Sequence, residues 1–333
     1  MDTKQNLAEC QPSPHIGQEQ EALFFNKKQQ ALFFDTYASA LADTHCHLSM
    51  LDGEKGSGDK QFFTDSCDAL CRAARAGLKF IVTVTDPTED AQDPQAYIDW
   101  LEALKDEAQK IEPLCADLEI VLTCGCHPHN AQYFDQKAQE ALRYMLKYDK
   151  CSALGEVGLD YHYDFSPRAI QQEIFRRQIR LAHELGLPLA LHLREAHDDA
   201  YRILIEEGLP QAGVLLHCFN LGKEELIRFQ DLGCFFSIGG PVSFKSCEEL
   251  REALPFALLD RLMVETDAPY MAPTPLRGIK CEPAMSLISH NIICDILSAH
   301  HGLNKEDISR QLYNNARRFY RSQKERSVDA GLH

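Results

Sequence analysis

Several absences narrow the class of this chain before any motif is read. No apolar run reaches the ~18 residues that a membrane-spanning helix needs. The opening stretch MDTKQNLAECQPSPHIGQEQ is polar and has no apolar core of a secretory signal. The expectation is a cytoplasmic protein with no membrane partner. No CxxC pair occurs: thirteen cysteines, an odd number, are scattered along the chain. They read as reduced, mostly buried thiols. No GxGxxG turn follows the first predicted strand, so the alternative of a doubly wound open sheet lacks its signature. Positive charge is also scarce, with 34 Lys and Arg against 50 Asp and Glu and a formal net charge of −16. Such a chain repels polyanions at long range, which argues against a general nucleic-acid coating protein. An acidic pocket that collects divalent cations remains open, because bound metal reverses the local sign.

What is present is 333 residues, 44% hydrophobic and 25% charged. That composition is ordinary for a globular protein, and the length suits an α/β barrel built as one domain. From residue 40, eight apolar β-rich runs recur, at 40–48, 78–85, 118–128, 151–160, 187–193, 213–219, 234–240 and 261–269. Most are nearly continuous, as strands buried on both faces of a parallel sheet should be. Helical periodicity fills the gaps. The clearest case is RAIQQEIFRRQIRLAHELG, with Ile170, Ile174, Ile179, Leu181 and Leu185 near one face and a stop at Gly186. The pattern predicts a (β/α)8 TIM barrel over 40–322, with two extra helices near 284–301 and 305–322 and a tail at 323–333. DGEKGSGDK reads as a loop, and PQAYIDWLEALKDEAQKIEPLC as a solvated helix with an apolar stripe. Residues 1–39 read as an extension, helical or partly disordered. Within it, EALFFNKKQQALFF repeats ALFF at a spacing of nine, which at helical pitch puts both patches on one side. A helix packed on the body is expected, with a partner-docking segment as the alternative.

In such a barrel the active site forms at the C-terminal ends of the strands. DTHCH ends the first with His45 and His47 at alternate positions, which face the same way in a strand. GEVGLDY places Glu156 on the fourth, LHLREA places His192 and Arg194 on the fifth, LHCF places His217 on the sixth, and VETDAP places Asp267 on the eighth. Imidazoles and carboxylates suit borderline and hard divalent metals. Six ligands exceed the need of one ion, and two ions sharing Glu156 fit the count. Cys46 and Cys218 flank ligands and should point into the barrel wall.

Taken together and in order, DTHCHL, GEVGLDYH, LPLALHLREA, HCF, ETDAPY and RGIKCEP resemble the TatD-type metal-dependent deoxyribonucleases of the amidohydrolase superfamily, across about residues 42–320. The resemblance implies a TIM barrel, two divalent cations (magnesium, manganese or zinc) and phosphodiester hydrolysis, as a DNase or 3′–5′ exonuclease on single-stranded DNA or RNA. It carries His45, His47, Glu156, His192, His217 and Asp267 over as metal ligands. Asn220 and Leu221 in HCFNL and Cys281 in KCEP depart from the residues common in the family.

The residues suggest further roles. Asp267 accepts a proton from the attacking water, and Glu156 joins it in catalysis as the bridge. Arg194, two residues after His192, faces the same rim and pairs with phosphate. His127 and His129 in GCHPHN contact substrate or protonate the leaving oxygen. Tyr161, Arg277 and Lys280 are further substrate candidates. The expected partner is nucleic acid as substrate, DNA ends foremost, with the protein a monomer. Two alternatives stand beside this: a metal-dependent deacylase or amidohydrolase on a small ester or amide, and a docking protein acting through the ALFF segment.

Overall fold

The computed structural model of the chain describes residues 22–37, 40–52 and 64–321. The first element corrects the expectation for the ALFF repeat. Its two copies form a hairpin of β1 (Phe24–Phe25) and β2 (Ala31–Leu32), with Phe24 opposite Leu32 and Phe25 opposite Ala31. Asn26 decides this locally, because its side-chain oxygen accepts from the N–H of Lys28 and of Gln30, at 2.9 and 3.1 Å. Such Asx bonding favours a turn over a helix. The faces therefore alternate with period two. Phe24 is buried and meets Phe34 edge-on at 5.5 Å, while Phe25 and Phe33 face out. Residues 1–21, most of the DGEKGSGDK loop and the 323–333 tail lie outside the described residues.

Eight strands follow: β3 (Leu41–Cys46), β4 (Leu78–Thr85), β5 (Glu119–Cys124), β6 (Cys151–Asp160), β7 (Leu189–Arg194), β8 (Val214–Leu216), β9 (Phe235–Ile238) and β10 (Leu262–Val264). They pair in chain order and every pair is parallel. Between them run α1 (Thr64–Arg75), α2 (Pro94–Ile111), α3 (Gln136–Met145), α4 (Arg168–Leu185), α5 (His197–Glu207), α6 (Lys223–Leu232) and α7 (Glu248–Ala253). Two more helices, α8 (Ser286–His301) and α9 (Lys305–Phe319), complete the fold. This is the (β/α)8 order read from the sequence. Ala42, Phe80, Val82, Val121, Ala153, Leu215 and Met263, drawn from six strands, pack against one another and against Ala316, Phe319 and Tyr320. Side chains from around the sheet can meet only in a barrel interior, and the end of α9 plugs it.

The expected acidic helix is α2. Pro94 opens it, the Asp93 side chain caps it by accepting from Ala96 N–H at 3.1 Å, and Tyr97, Ile98, Leu101, Leu104 and Ala108 are its buried stripe. In α4 the period is as expected but the face is rotated. Ile174 and Ile179 are buried with Phe175 and Ala182, whereas Ile170 and Leu185 are exposed. Two glutamines take their places. Gln178 brackets the Cys126 peptide, accepting its N–H at 2.8 Å and donating to its C=O at 3.1 Å. Gln171 accepts from Asp160 N–H at 2.8 Å and donates to the Asp160 and Ser166 carbonyls. Both therefore hold the ends of strands that lead into the functional rim.

The seam between β3 and β10 has its own fastening. β10 ends at Val264, so Asp267 lies beyond the strand instead of closing it. Asp267 N–H donates to His45 C=O at 2.9 Å, and His47 N–H donates to Ala268 C=O at 2.7 Å. Asp43, fully buried, accepts from Thr266 N–H at 2.9 Å, Thr266 Oγ1 at 2.6 Å and His45 N–H at 3.2 Å. Thr44 Oγ1 adds a bond to Val264 C=O at 3.0 Å.

Candidate active site

All six ligand-type residues gather around one carboxylate. Oε2 of Glu156 lies 3.3 Å from His45 Nε2 and 3.8 Å from His47 Nε2. Oε1 lies 2.6 Å from His192 Nδ1, 2.7 Å from His217 Nε2 and 3.6 Å from His127 Nε2. Asp267 Oδ1 approaches His47 Nε2 at 3.5 Å and His45 Nε2 at 3.9 Å. Glu156 thus has one oxygen toward the histidines at the end of β3 and the other toward His192 of β7 and the histidines that follow β5 and β8. Burial alone would push it up, but the surrounding His217, His127 and His45 imidazoles hold Glu156 well below the usual carboxylate range. Burial also acts upward on Asp267, and the His47 hydrogen bond and neighbouring imidazoles outweigh it. Asp267 has φ 59° and Cys218, next to His217, has φ 46°. Such left-handed backbone in residues other than glycine clusters at functional sites.

Divalent cations fit these residues. Among the described residues, both ring nitrogens of His45, and Nδ1 of His217, are buried without a hydrogen-bond partner. Buried polar atoms are rarely left so, and a cation satisfies a neutral imidazole nitrogen directly. Among the described residues, three donor groups lie close enough to share an ion: His45, His47 and Asp267; His45, Glu156 and His217; and His127, His129 and His192. Imidazole nitrogen and carboxylate oxygen suit zinc, manganese or magnesium.

Residues not singled out in the sequence hold these donors in place. Asp160, fully buried, accepts from His129 Nε2 at 2.8 Å and from His192 Nε2 at 3.1 Å. That leaves His192 Nδ1 aimed at the centre, the usual carboxylate support of a metal-binding imidazole. Glu265, also fully buried, lies 3.7 Å from His217 Nδ1 and accepts from Cys218 N–H at 2.6 Å. Asp86 accepts from His127 N–H at 2.9 Å and Asn130 Nδ2 at 3.0 Å. Burial pushes Asp86 up to about 6. Burial and the neighbouring His192 bring His127 down to about 4, so its ring is neutral near pH 7 and its Nδ1 accepts from His129 N–H at 3.2 Å.

The cleft above the ring encloses about 720 Å3, and His127, His129 and Arg194 line it with the central donors. Arg194 stacks on the Tyr163 ring at 4.7 Å. The structure places the other three substrate candidates elsewhere. Tyr161 donates to Asp199 at 2.8 Å and faces a separate groove with Glu195 and Leu221. The Arg277 guanidinium lies on the Phe244 ring at 3.8 Å, off the cleft wall. Lys280 donates to the Leu51 carbonyl and lies 3.6 Å from Asp65. Cys281 is fully buried and donates its N–H to Pro269 C=O at 3.0 Å.

A parallel barrel with histidines and carboxylates converging at the C-terminal ends of its strands defines a metal-dependent hydrolase. The chain belongs to the TatD related DNase family, whose pattern matches residues 42–321. It is 36% identical over 245 residues to an uncharacterized metal-dependent hydrolase, YcfH, of Escherichia coli (strain K12), covering 74% of this chain and 83% of that one. It is 32% identical over 271 residues to the 3′-5′ ssDNA/RNA exonuclease TatD of Pantoea ananatis, covering 78% of this chain and 95% of that one. Among solved structures, the TatD homologue YjjV of Escherichia coli superposes with a TM-score of 0.70 at 25% identity, covering 84% of this chain and 97% of that one.

Proposed function

We propose that this protein is a divalent-metal-dependent phosphodiesterase that releases nucleotides from the 3′ end of single-stranded DNA or RNA. The observation that carries the reading is Glu156, whose two oxygens face separate sets of histidines, three of them within 3.3 Å. The likeness to the Pantoea exonuclease supports the substrate class.

His45, His47, Glu156 and Asp267 would hold one cation, and Glu156, His192 and His217 the other. Cations held there supply positive charge that neutralises a phosphate and makes water more acidic. The protein's own residues do the rest. Asp267, held low by its neighbours, takes the proton of the attacking water at a carboxylate oxygen. Asp160 fixes the His192 ring by a hydrogen bond, and Glu265 holds the Cys218 N–H and stands 3.7 Å from the His217 ring. Arg194, which makes no ion pair with Glu156 or Asp160 among the described residues, offers its guanidinium to phosphate. His127 Nε2–H, on a ring that is neutral near pH 7, offers a hydrogen bond to the leaving oxygen.

End-labelled single strands incubated with magnesium or manganese test this. Mononucleotides should leave one at a time from a 5′-labelled strand and should cease with EDTA. Hydrolysis of small ester or amide substrates, with the strand untouched, would refute the nuclease reading.

A further inference from the structure

The loop between β6 and α4 presents two aromatic rings that the fold gains nothing by exposing. Tyr163 and Phe165 are 48% and 59% exposed, yet they stand nearly parallel, 14° apart with centroids 5.2 Å from each other. Both line the cleft above the histidine ring. Large apolar groups left in water in a set pose mark a surface that is covered in use.

The pose is fixed from beneath. Asp160 accepts from the N–H groups of His162 and Tyr163 at 2.9 and 3.0 Å, with the carboxylate oxygen that its histidine bonds leave free. Gln132 donates to the Phe165 carbonyl at 2.9 Å, and Ser166 Oγ donates to the His129 carbonyl at 2.7 Å. The His129 ring meets Phe165 edge-on at 4.8 Å. A loop pinned at this many points does not have to be ordered when a ligand arrives.

We infer that Tyr163 and Phe165, stacked on each other with Arg194 on the Tyr163 ring, form a platform whose open face takes one unpaired nucleobase of a single nucleic-acid strand beside the histidine ring. The inference rests on the nuclease reading of the site and supplies what an acidic protein otherwise lacks. A chain of net charge −16 gains little from phosphate attraction over its surface as a whole. Stacking does not depend on that charge, and it tolerates any sequence because every base has a π-face. It also discriminates against duplexes, since a paired base must leave its own stack to reach the rings. Asp160 binds both Tyr163 N–H and His192, so base and scissile phosphate are held in one register.

The test uses the full chain and oligothymidylate carrying one 2-aminopurine, whose fluorescence falls on stacking. With EDTA present to stop turnover, the unmodified protein should quench the probe. Tyr163→Ala/Phe165→Ala should not, and Tyr163→Phe should. Tyr144→Ala removes an exposed tyrosine of α3 outside the cleft and should quench normally. In manganese, the double variant should raise KM for the strand about tenfold, a typical loss for one stacked base. An abasic spacer beside the cleaved bond should raise KM for the unmodified protein and add nothing in the variant. Quenching that depends on the two rings, without hydrolysis in any divalent cation, sinks the nuclease reading and leaves the platform standing. Hydrolysis with the same quenching and KM in the double variant overturns the platform and leaves the nuclease reading intact.

Discussion

Replacing Asp43 tests whether the barrel seam and the functional rim are one structure. Its carboxylate accepts two backbone N–H groups, from His45 and Thr266, and the Thr266 hydroxyl, all in the interior. Asp43→Ala leaves two buried N–H donors and a hydroxyl without partners. Each orphaned donor costs about 1–3 kcal/mol, and relief of the buried carboxylate returns part of that, so a net loss of about 4 kcal/mol is expected. For a chain this long, ~2 °C per kcal/mol gives a fall in melting temperature of about 8 °C. Asp43→Asn is the informative contrast. Both N–H donors converge on Oδ1, so the amide oxygen keeps them, and its NH2 faces Thr266 Oγ1. Thr266 Oγ1 already accepts from Ala268 N–H at 3.2 Å, so only its own proton loses its acceptor. The cost should stay near 1 kcal/mol. Manganese affinity should follow the same order, because the seam sets the spacing of His45 and Asp267. Thermal melts and metal titrations of both variants check this. Asp43→Ala melting within about 2 °C of the parent, with unchanged metal affinity, would refute the reasoning.

Glu156→Gln should abolish turnover while the protein still folds, because its strand packing is untouched; near-normal rates with any divalent cation would remove Glu156 from the centre. Asp267→Asn keeps an oxygen donor but cannot take a proton, so kcat should fall about 10²–10⁴-fold with a much smaller loss of bound metal. His217→Ala should lose metal and activity together, and metal content measured beside kcat separates the two cases. Removing residues 1–38 takes away Phe24 from the core and the bond from Asn291 to the Asp35 carbonyl. It should lower the melting temperature and leave kcat largely intact, whereas a folded but inactive product would place the hairpin in the working site.

The barrel was legible because parallel strands buried on both faces write themselves as continuous apolar runs, and their ends are where ligand-type residues stand out. His45, His47, Glu156, His192, His217 and Asp267 could be gathered from sequence for that reason. Asp160 and Glu265 could not, since a buried carboxylate in GLDY or VETD looks like a solvated one until its donors are known. Gln171 and Gln178 hid in the same way: polar letters on a helix read as solvent-facing, yet both are spent on strand-end backbone. A signal did exist in GLDYH, where an acid two residues past a glycine ends a strand that is apolar but for Ser152 and Glu156. The ALFF repeat misled because helical and extended periods are hard to separate in a short segment, and the Asn26 turn decided between them. Tyr161, Arg277 and Lys280 have residue types suited to substrate, but loop geometry turns each toward a partner away from the cleft.

The seam has a consequence for how a bound divalent cation would act on the fold. His45 and His47 stand on one side of the join, and Asp267 stands on the other. A cation held by all three would therefore span the join where the sheet's first and last strands must be held shut. Its binding free energy would then favour closure and be lost when it leaves. Backbone amides of β3 and of the 265–268 segment should exchange with deuterium faster in chelated protein than in loaded protein, while those of β6 and β7 change little. A cell short of metal would then hold a barrel that breathes at its join, exposed there to proteases before it loses its fold elsewhere.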